Sequence, residues 1–321
     1  MHAIPGPARP SKLSVIGAGG VGVAIAYASL IRGSADVVAL HDLNAAKVEA
    51  EVLDLAHGTQ FLASKRVEGG ADPRVMEGSD VVIITAGAKQ QPGEPRLALT
   101  ARNADILKSV LPGIREHAPD AIVVLVTNPC DVLTVVAQRE GGLDPARVLS
   151  SGTVLDSSRL RWRLSELVQV DPRSVHALMI GEHGDSEFPL WSRAKIGPML
   201  VREWMEDDRV RFTSADLDRI ADEVVHAAYR IIEGKGATSS AIGVSSARIV
   251  EAILRDERAV LPVSSILTGQ HGLSGLALSL PTIVGRGGIE RVLEVPMEEH
   301  ELARLHASAE AIAASLRSVM G

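Results

Sequence analysis

The sequence is poor in aromatic residues, with three Phe, three Trp and two Tyr among 321 residues. Hydrophobic residues nevertheless make up 46% of the chain, so the core must be built from Ala, Val, Leu and Ile. A single cysteine, Cys130, excludes a disulfide framework within the chain and allows a reducing compartment. The formal charge of −7, without a basic block, argues against nucleic acid as a partner.

Long apolar runs are also missing, because none approaches the roughly 18 residues that a membrane helix needs. The first ten residues contain Pro5, Pro7 and Pro10 and lack the apolar stretch of a signal peptide. We therefore expect a cytoplasmic protein with no membrane partner. At roughly 150 residues per domain, the length predicts two domains.

Short apolar runs alternate with helical patterns over the first half of the chain. Continuous β-branched runs at 81–85 and 122–126 are typical of parallel strands buried on both faces. The alternation predicts an α/β first domain, residues 11–151, built on a doubly wound parallel sheet. The other elements predicted there are strands at 13–16 and 37–41 and helices at 21–31, 45–56 and 97–117.

The second half, residues 152–321, has the pattern of an α+β domain. Two strand-like segments at 260–268 and 276–284 predict an antiparallel meander, and a third lies at 174–180. Helical patterns cover 155–168, 215–233, 240–255 and 298–319.

The segment Gly17-Ala18-Gly19-Gly20-Val21-Gly22 satisfies G-x-G-x-x-G between a predicted strand and a predicted helix. Gly17 would allow a tight turn, Gly19 the approach of a pyrophosphate, and Gly22 close packing of the helix on the sheet. Asp42 ends the next strand, where its carboxylate could accept both ribose hydroxyls of NAD and repel the 2′-phosphate of NADP. The alternative is that Asp42 caps the following helix. We predict NAD as the cofactor and no metal site.

A candidate catalytic cluster lies further along the chain. Asp156 and Arg159 are three residues apart on a predicted helix, so they share a face. The carboxylate could orient a histidine and the guanidinium could bind a substrate carboxylate. The alternative is that the two residues form an ordinary ion pair on the surface, which would have the same spacing. His183 follows a predicted strand in a glycine-flanked segment, which favours an acid–base role over a structural one. The Gly/Pro-containing loop at 90–96 lies where ligands bind in such sheets and could form a lid.

Five motifs occur together and in order, and with them the sequence closely resembles the L-lactate/malate dehydrogenase family. The resemblance extends from about Lys12 to the C-terminal helix. It implies a Rossmann NAD-binding domain, a second catalytic domain and a homo-oligomer, most simply a homotetramer. The motifs are Gly17-Ala18-Gly19-Gly20-Val21-Gly22, Thr127-Asn128-Pro129-Cys130-Asp131, Leu155-Asp156-Ser157-Ser158-Arg159, Ile180-Gly181-Glu182-His183-Gly184-Asp185-Ser186 and Lys235-Gly236-Ala237-Thr238.

The resemblance also implies a role for each matching residue. His183 would be the catalytic acid/base, Asp156 its partner, and Arg159 the residue that binds the substrate carboxylate. Arg96 would polarise the substrate carbonyl, and Asn128 would hydrogen-bond the substrate oxygen. Besides Gly17, Gly19, Gly22 and Asp42, the positions where this family contacts NAD are Val21, Lys47, Gly87, Ala88, Ser109, Val126, Asn128 and Ser151.

Substrate choice within this family depends on the position two residues before the loop proline, which is Gln90 here, while Thr238 would line the same pocket. Malate dehydrogenases carry an arginine there, which pairs with the second carboxylate of oxaloacetate. Gln90 would leave that charge unpaired in a closed pocket, so it indicates reduction of pyruvate to L-lactate. The alternatives are malate dehydrogenase activity, a broad 2-hydroxyacid dehydrogenase, or a catalytically silent NAD-binding sensor.

The resemblance implies a regulatory site as well. In bacterial lactate dehydrogenases that fructose 1,6-bisphosphate activates, an arginine and a histidine occupy the positions of Arg161 and His176. A step of two helical residues turns about 200°, so Arg161 should face away from Arg159. The alternative is that both are ordinary surface or interface residues.

Overall fold

A computed structural model describes residues 9–62, 66–88 and 96–320, without the side chains of residues 96 and 97. The parallel strands of the first half are β1 (Lys12–Ile16), β2 (Val37–His41), β3 (Arg66–Gly70), β4 (Val81–Ile84), β5 (Ile122–Leu125) and β6 (Val148–Ser150). The helices between them are α1 (Gly20–Arg32), α2 (Ala45–His57), α3 (Arg96–His117) and α4 (Cys130–Gly141).

The second half contributes helices α5 (Val154–Val168), α6 (Ser214–Val225), α7 (Ala227–Lys235), α8 (Ser240–Leu254) and α9 (Glu299–Met320). Its short strands are β7 (Val175–His176), β8 (Met179–Ile180), β9 (Phe188–Pro189), β10 (Lys195–Ile196), β11 (Met199–Leu200), β12 (Met205–Glu206) and β13 (Arg209–Val210). Its remaining strands are β14 (Ala259–Leu261), β15 (Ser264–Thr268), β16 (Ser274–Ser279), β17 (Thr282–Gly285) and β18 (Gly288–Val292).

The central sheet confirms the predicted doubly wound topology. Among the described residues its strand order is β16-β15-β6-β5-β4-β1-β2-β3, and β1 to β6 run parallel. Helices cover both faces, which is why β4 is hydrophobic at every position. Val82 and Ile84 pack with α3, α4 and α9, whereas Val81 and Ile83 pack with α1, α2 and α8.

The predicted antiparallel meander is confirmed, since β14 pairs with β17, β15 pairs with β16 in the same register, and β18 adds to β17, but it is shared between two sheets. Each of the segments 260–268 and 276–284 is divided between two sheets, with β15 and β16 joining the edge of the central sheet while β14 pairs with β17. Pro262 and Pro281 stand at the two divisions, where a residue without an N–H ends a ladder. The sequence pattern is continuous across both prolines, so only the structure shows the break.

Two further predicted elements are interrupted. The strand expected at 174–180 is β7 and β8, which pair with different partners, β10 and β9. The helix expected at 215–233 is α6 followed by α7, with His226 at ψ 2° between them. The strands β3 and β6 and the helix α4 were not predicted, since β3 contains two glycines and β6 is three residues long.

Helices of the second half hold the two halves together. Gly243 of α8 lies so close to α1 that a Cβ there would come 2.5 Å from the Ala24 carbonyl oxygen. Arg32 of α1 donates from Nε and Nη2 to the carboxylate of Glu251 on α8, at 2.7 and 2.6 Å. Across the described segments, no helix combines the length and the apolar character needed to cross a membrane.

Candidate active site

The turn from β1 to α1 is tight on its inner side and open on its outer side. Gly17 has φ 104°, and a Cβ there would come 2.8 Å from the Ala86 nitrogen. A Cβ on Gly22 would come 1.9 Å from the Gly17 carbonyl oxygen, whereas at Gly19 it would meet none of the described atoms within 4 Å. Helix α1, described over its whole length, has neither a side-chain cap nor an acidic residue in its first turn. Its first amides therefore suit the pyrophosphate of a dinucleotide.

Asp42 is hydrogen-bonded to this glycine turn and is not the N-cap of α2. Its Oδ2 accepts a hydrogen bond from the Ala18 amide at 2.8 Å, and its Oδ1 accepts one from the Asn44 amide at 3.0 Å. The N-cap of α2 is Asn44, whose side chain accepts from the Lys47 amide. The alternative that Asp42 caps the helix is therefore not what the structure shows.

Most residues matched to NAD contacts follow the carboxyl ends of the parallel strands. Gly87 and Ala88 come after β4, Val126 and Asn128 after β5, and Ser151 after β6. In open α/β sheets, ligands bind at this edge. The other matched residues are Val21 in α1, Lys47 in α2 and the exposed Ser109 in α3.

Asn103 connects two of these segments and was missed at the sequence level. This buried side chain of α3 accepts a hydrogen bond from the Ala88 amide at 2.7 Å and donates one to the Asn128 carbonyl oxygen at 2.8 Å. A lone asparagine in a helical pattern carries no signal for such a role, because its partners lie in the separate segments that follow β4 and β5.

The catalytic cluster predicted from the sequence is assembled in the structure. Asp156 and Arg159 share a face of α5, and Asp156 Oδ1 lies 2.6 Å from Arg159 Nη1. The second oxygen, Oδ2, lies 2.8 Å from Nδ1 of His183. The Asp156 side chain is 2% exposed, against 15% for Arg159 and 24% for His183. One buried carboxylate therefore orients both the imidazole and the guanidinium.

The loop that carries His183 joins β8 to β9 and is anchored from two helices. Asp131 in the first turn of α4 accepts a hydrogen bond from the His183 amide at 2.7 Å. Ser308 of α9 accepts one from the Glu182 amide at 2.7 Å. Asp131 belongs to a motif quoted above, but its contact with His183 is 52 residues away in sequence and could not be predicted.

The charges of the cluster favour a protonated imidazole. Burial lowers the pKa of His183, but the charge and the hydrogen bond of Asp156 outweigh it, so that the pKa is raised well above 6.5. For Asp156, burial alone would raise the pKa, yet His183 and Arg159 hold it below 3.8. Burial raises the pKa of Asp131 to about 6.

Several predicted site residues lie elsewhere or outside the description. Gln90 lies outside the described residues, and Arg96 begins α3 with its side chain outside them. Thr238 is half-buried in the short connection from α7 to α8. Arg161 donates from Nε to the Ala177 carbonyl oxygen at 2.9 Å, next to the exposed His176. Arg161 is therefore directed to the β7–β8 connection, while Arg159 is directed to Asp156.

Fold and site together define a nicotinamide-dependent dehydrogenase: a doubly wound sheet with an open glycine turn, joined to a buried His–Asp–Arg cluster. The family model described as the lactate/malate dehydrogenase NAD binding domain matches residues 11–150. The model for the lactate/malate dehydrogenase alpha/beta C-terminal domain matches residues 153–320. The chain belongs to the lactate/malate dehydrogenase family.

Similar proteins cover almost the whole chain. The L-lactate dehydrogenase of a Synechococcus species is 49% identical over 300 residues, which are 93% of this chain and 96% of that protein. The L-lactate dehydrogenase of Bifidobacterium animalis subsp. lactis is 45% identical over 95% of this chain and 96% of its own length. A solved lactate dehydrogenase from a Medee basin deep-sea metagenome library has a TM-score of 0.93 at 36% identity, covering 98% of this chain and all of that one.

Proposed function

We propose that this chain catalyses the reversible, NAD-dependent reduction of pyruvate to L-lactate. The observation that carries the proposal is the Asp156 carboxylate, shared between His183 at 2.8 Å and Arg159 at 2.6 Å. A 2-oxo acid presents a carboxylate and a carbonyl oxygen next to each other, so it needs one cation and one proton donor side by side. The relatives named above are L-lactate dehydrogenases, which favours this member of the family over the malate branch.

The chain's own residues bind, orient and protonate the substrate, while bound NADH supplies the hydride. Asp156 holds the imidazole of His183 by Nδ1, which leaves Nε2 to give a proton to the substrate oxygen. Arg159 uses one guanidinium nitrogen for Asp156 and has the others for the substrate carboxylate. In our proposal, Asn128 and Thr238 complete this pocket and Arg96 polarises the carbonyl.

NAD rather than NADP is the dinucleotide in this proposal. Two amides hold the Asp42 carboxylate beside the glycine turn, which supports the proposal that it binds the adenosine ribose. Gln90 is the proposed determinant of the preference for pyruvate over oxaloacetate, because a neutral glutamine leaves the second carboxylate of oxaloacetate without a charged partner.

Regulation by fructose 1,6-bisphosphate and assembly as a homotetramer are further parts of the proposal. Arg161 donates from Nε to the carbonyl oxygen of Ala177, the residue that follows His176, so its guanidinium lies beside the backbone that carries His176. A two-fold axis would double each of them and suit a ligand with two phosphates. We also propose a division into domains at 151/152 and a location in the cytoplasm.

The test is NADH oxidation with pyruvate and with oxaloacetate, each with and without fructose 1,6-bisphosphate. We expect a kcat/KM for pyruvate at least about tenfold above that for oxaloacetate, because an unpaired buried carboxylate costs more than 1.4 kcal/mol. The His183→Gln variant should bind NADH but not reduce pyruvate. A preference for oxaloacetate would overturn the substrate, and no oxidation of NADH with either acid would overturn the activity.

A further inference from the structure

A second buried carboxyl group stands beside the imidazole of His183. Glu187 lies four residues later on the same loop, is 3% exposed, and has Oε2 at 3.9 Å from Nδ1 of His183. One oxygen of Glu187, one of Asp156 and a ring nitrogen of His183 all lie within 4.8 Å of one another. The proposed function uses Asp156 and His183 but leaves Glu187 without a role.

The hydrogen bonding of Glu187 is incomplete if it is a carboxylate. In the part of the chain that the structure describes, the buried Oε2 accepts no hydrogen bond. A buried carboxylate without donors is costly, and two adjacent carboxylates repel each other. If Glu187 carries a proton, the same oxygen becomes a donor and the neighbouring Asp156 becomes its acceptor.

Within the cluster of Asp156, His183 and Glu187, the surrounding charges favour the neutral form of Glu187. On α5, Arg159 is bonded to Asp156, and on α4, Asp131 adds a further acidic group. From α9, Arg304 directs Nη2 at the main-chain oxygen of Glu187 at 3.5 Å. Burial, followed by the charge of Asp156, raises the pKa of Glu187 well above its ordinary value.

We propose that Glu187 is a neutral carboxylic acid in the working enzyme, and that it donates its proton in a hydrogen bond to Asp156. A donor on Asp156 draws electron density away from His183, so the imidazolium is stabilised less than by Asp156 alone. Glu187 is then a positioning residue that lowers the proton affinity of His183 towards the range where it can both give and take a proton. The inference rests on the proposed acid–base role of His183.

Two substitutions separate a neutral Glu187 from an ionised one. Glu187→Gln keeps the size and a donor group, so a neutral acid predicts that the midpoint of the pH profile of kcat/KM for pyruvate stays in place. Glu187→Leu removes the donor from Asp156, and the midpoint should move to higher pH. If Glu187 were ionised 3.9 Å from Nδ1, Glu187→Gln would lower the proton affinity of His183 at least about tenfold. That shift to lower pH would overturn the proposal.

The matched control is Glu182→Gln. Glu182 lies on the same loop, but its carboxylate accepts from the Ser186 hydroxyl and does not belong to the cluster of Asp156, His183 and Glu187. We expect this variant to keep the midpoint of the profile. Binding of NADH, followed by its fluorescence, checks that each variant is folded.

Infrared spectroscopy of the whole protein tests the protonation state without any assay of activity. We expect the carbonyl stretch of a buried, protonated carboxyl group at neutral pH, and its loss in Glu187→Gln but not in Glu182→Gln. If wild type and Glu187→Gln have the same spectrum in that region, the proposal is wrong. If the band is present but pyruvate is not reduced, the proposed function fails while the assignment of Glu187 stands.

Discussion

Replacing Asp156 by Asn removes the charge on which both His183 and Arg159 depend. The substitution keeps the size of the side chain and leaves an amide that can still accept a hydrogen bond from Nδ1. The structure places Oδ2 at 2.8 Å from that nitrogen and Oδ1 at 2.6 Å from Arg159. We expect a large loss of pyruvate reduction with little change in the binding of NADH, because the glycine turn and Asp42 are untouched.

The size of the loss follows from the distance and the surroundings. Opposite unit charges 2.8 Å apart attract each other by about 6 kcal/mol at an effective dielectric constant of about 20. Three effects make the loss smaller than this full attraction: the asparagine keeps a hydrogen bond to Nδ1, the positive charge of Arg159 offsets part of the charge of Asp156, and His183 is partly exposed. We therefore take about half of the 6 kcal/mol as the energy lost. A loss of about 3 kcal/mol corresponds to a fall of about 100-fold in kcat/KM for pyruvate.

The pH dependence gives a second, independent measure of the same change. In the proposed mechanism, productive binding of pyruvate needs protonated His183, so wild-type kcat/KM for pyruvate should fall as pH rises through the raised pKa of His183. Lactate oxidation needs the neutral ring and should rise over the same range. In Asp156→Asn the stabilising charge is gone, so both curves should move to lower pH.

The assay is steady-state kinetics in both directions across pH, with NADH binding measured separately by fluorescence. The matched control is Asp185→Asn, which removes a carboxylate from the His183 loop where it accepts a hydrogen bond from the Tyr229 hydroxyl at 2.8 Å. A wild-type kcat/KM and an unmoved midpoint in Asp156→Asn would refute the pairing. Matching pH profiles for the two directions would refute the acid–base role of His183.

Other predictions concern specificity and regulation. Gln90→Arg should raise the ratio of kcat/KM for oxaloacetate to that for pyruvate by at least about tenfold, because an arginine gains a carboxylate partner only with oxaloacetate. An unchanged ratio would place residue 90 outside the pocket. Asp42→Ser should relax the preference for NAD over NADP in NADH and NADPH oxidation, and equal use of both by the wild type would contradict the role of Asp42. Fructose 1,6-bisphosphate should lower the KM for pyruvate and increase the oligomer size seen by light scattering, and Arg161→Gln with His176→Gln should abolish both effects. No response of the wild type at millimolar bisphosphate would refute that site.

Local patterns in the sequence predicted most of the first half of the fold, but not β3, α4 or β6. The runs at 81–85 and 122–126 are continuous because helices cover both faces of the sheet, and the structure confirms β4 and β5 there. The predicted helix and strand bounds in this half agree with the structure to within a residue or two, since each element is one uninterrupted pattern. Asp156 and Arg159 were likewise placed together by helical geometry alone.

The sequence was less informative where one strand-like pattern continues from one sheet into another. The two segments pair with each other on both sides of Pro262 and Pro281, but only β15 also pairs with β6 of the central sheet. Hydrophobic periodicity reports burial and not the identity of the partner strand. The assignment of β15 and β16 to the central sheet therefore required the tertiary structure.

The sequence by itself determined the class of fold, the glycine turn and the choice of the proposed catalytic groups, because these depend on neighbours within a few residues or on motifs. Only the tertiary structure decided how those groups are tuned. Asp131 holds the His183 amide from another helix, and Glu187 meets Asp156 across the space between a loop and α5. Protonation depends on burial and on charges within a few ångströms in space, whatever the separation along the chain.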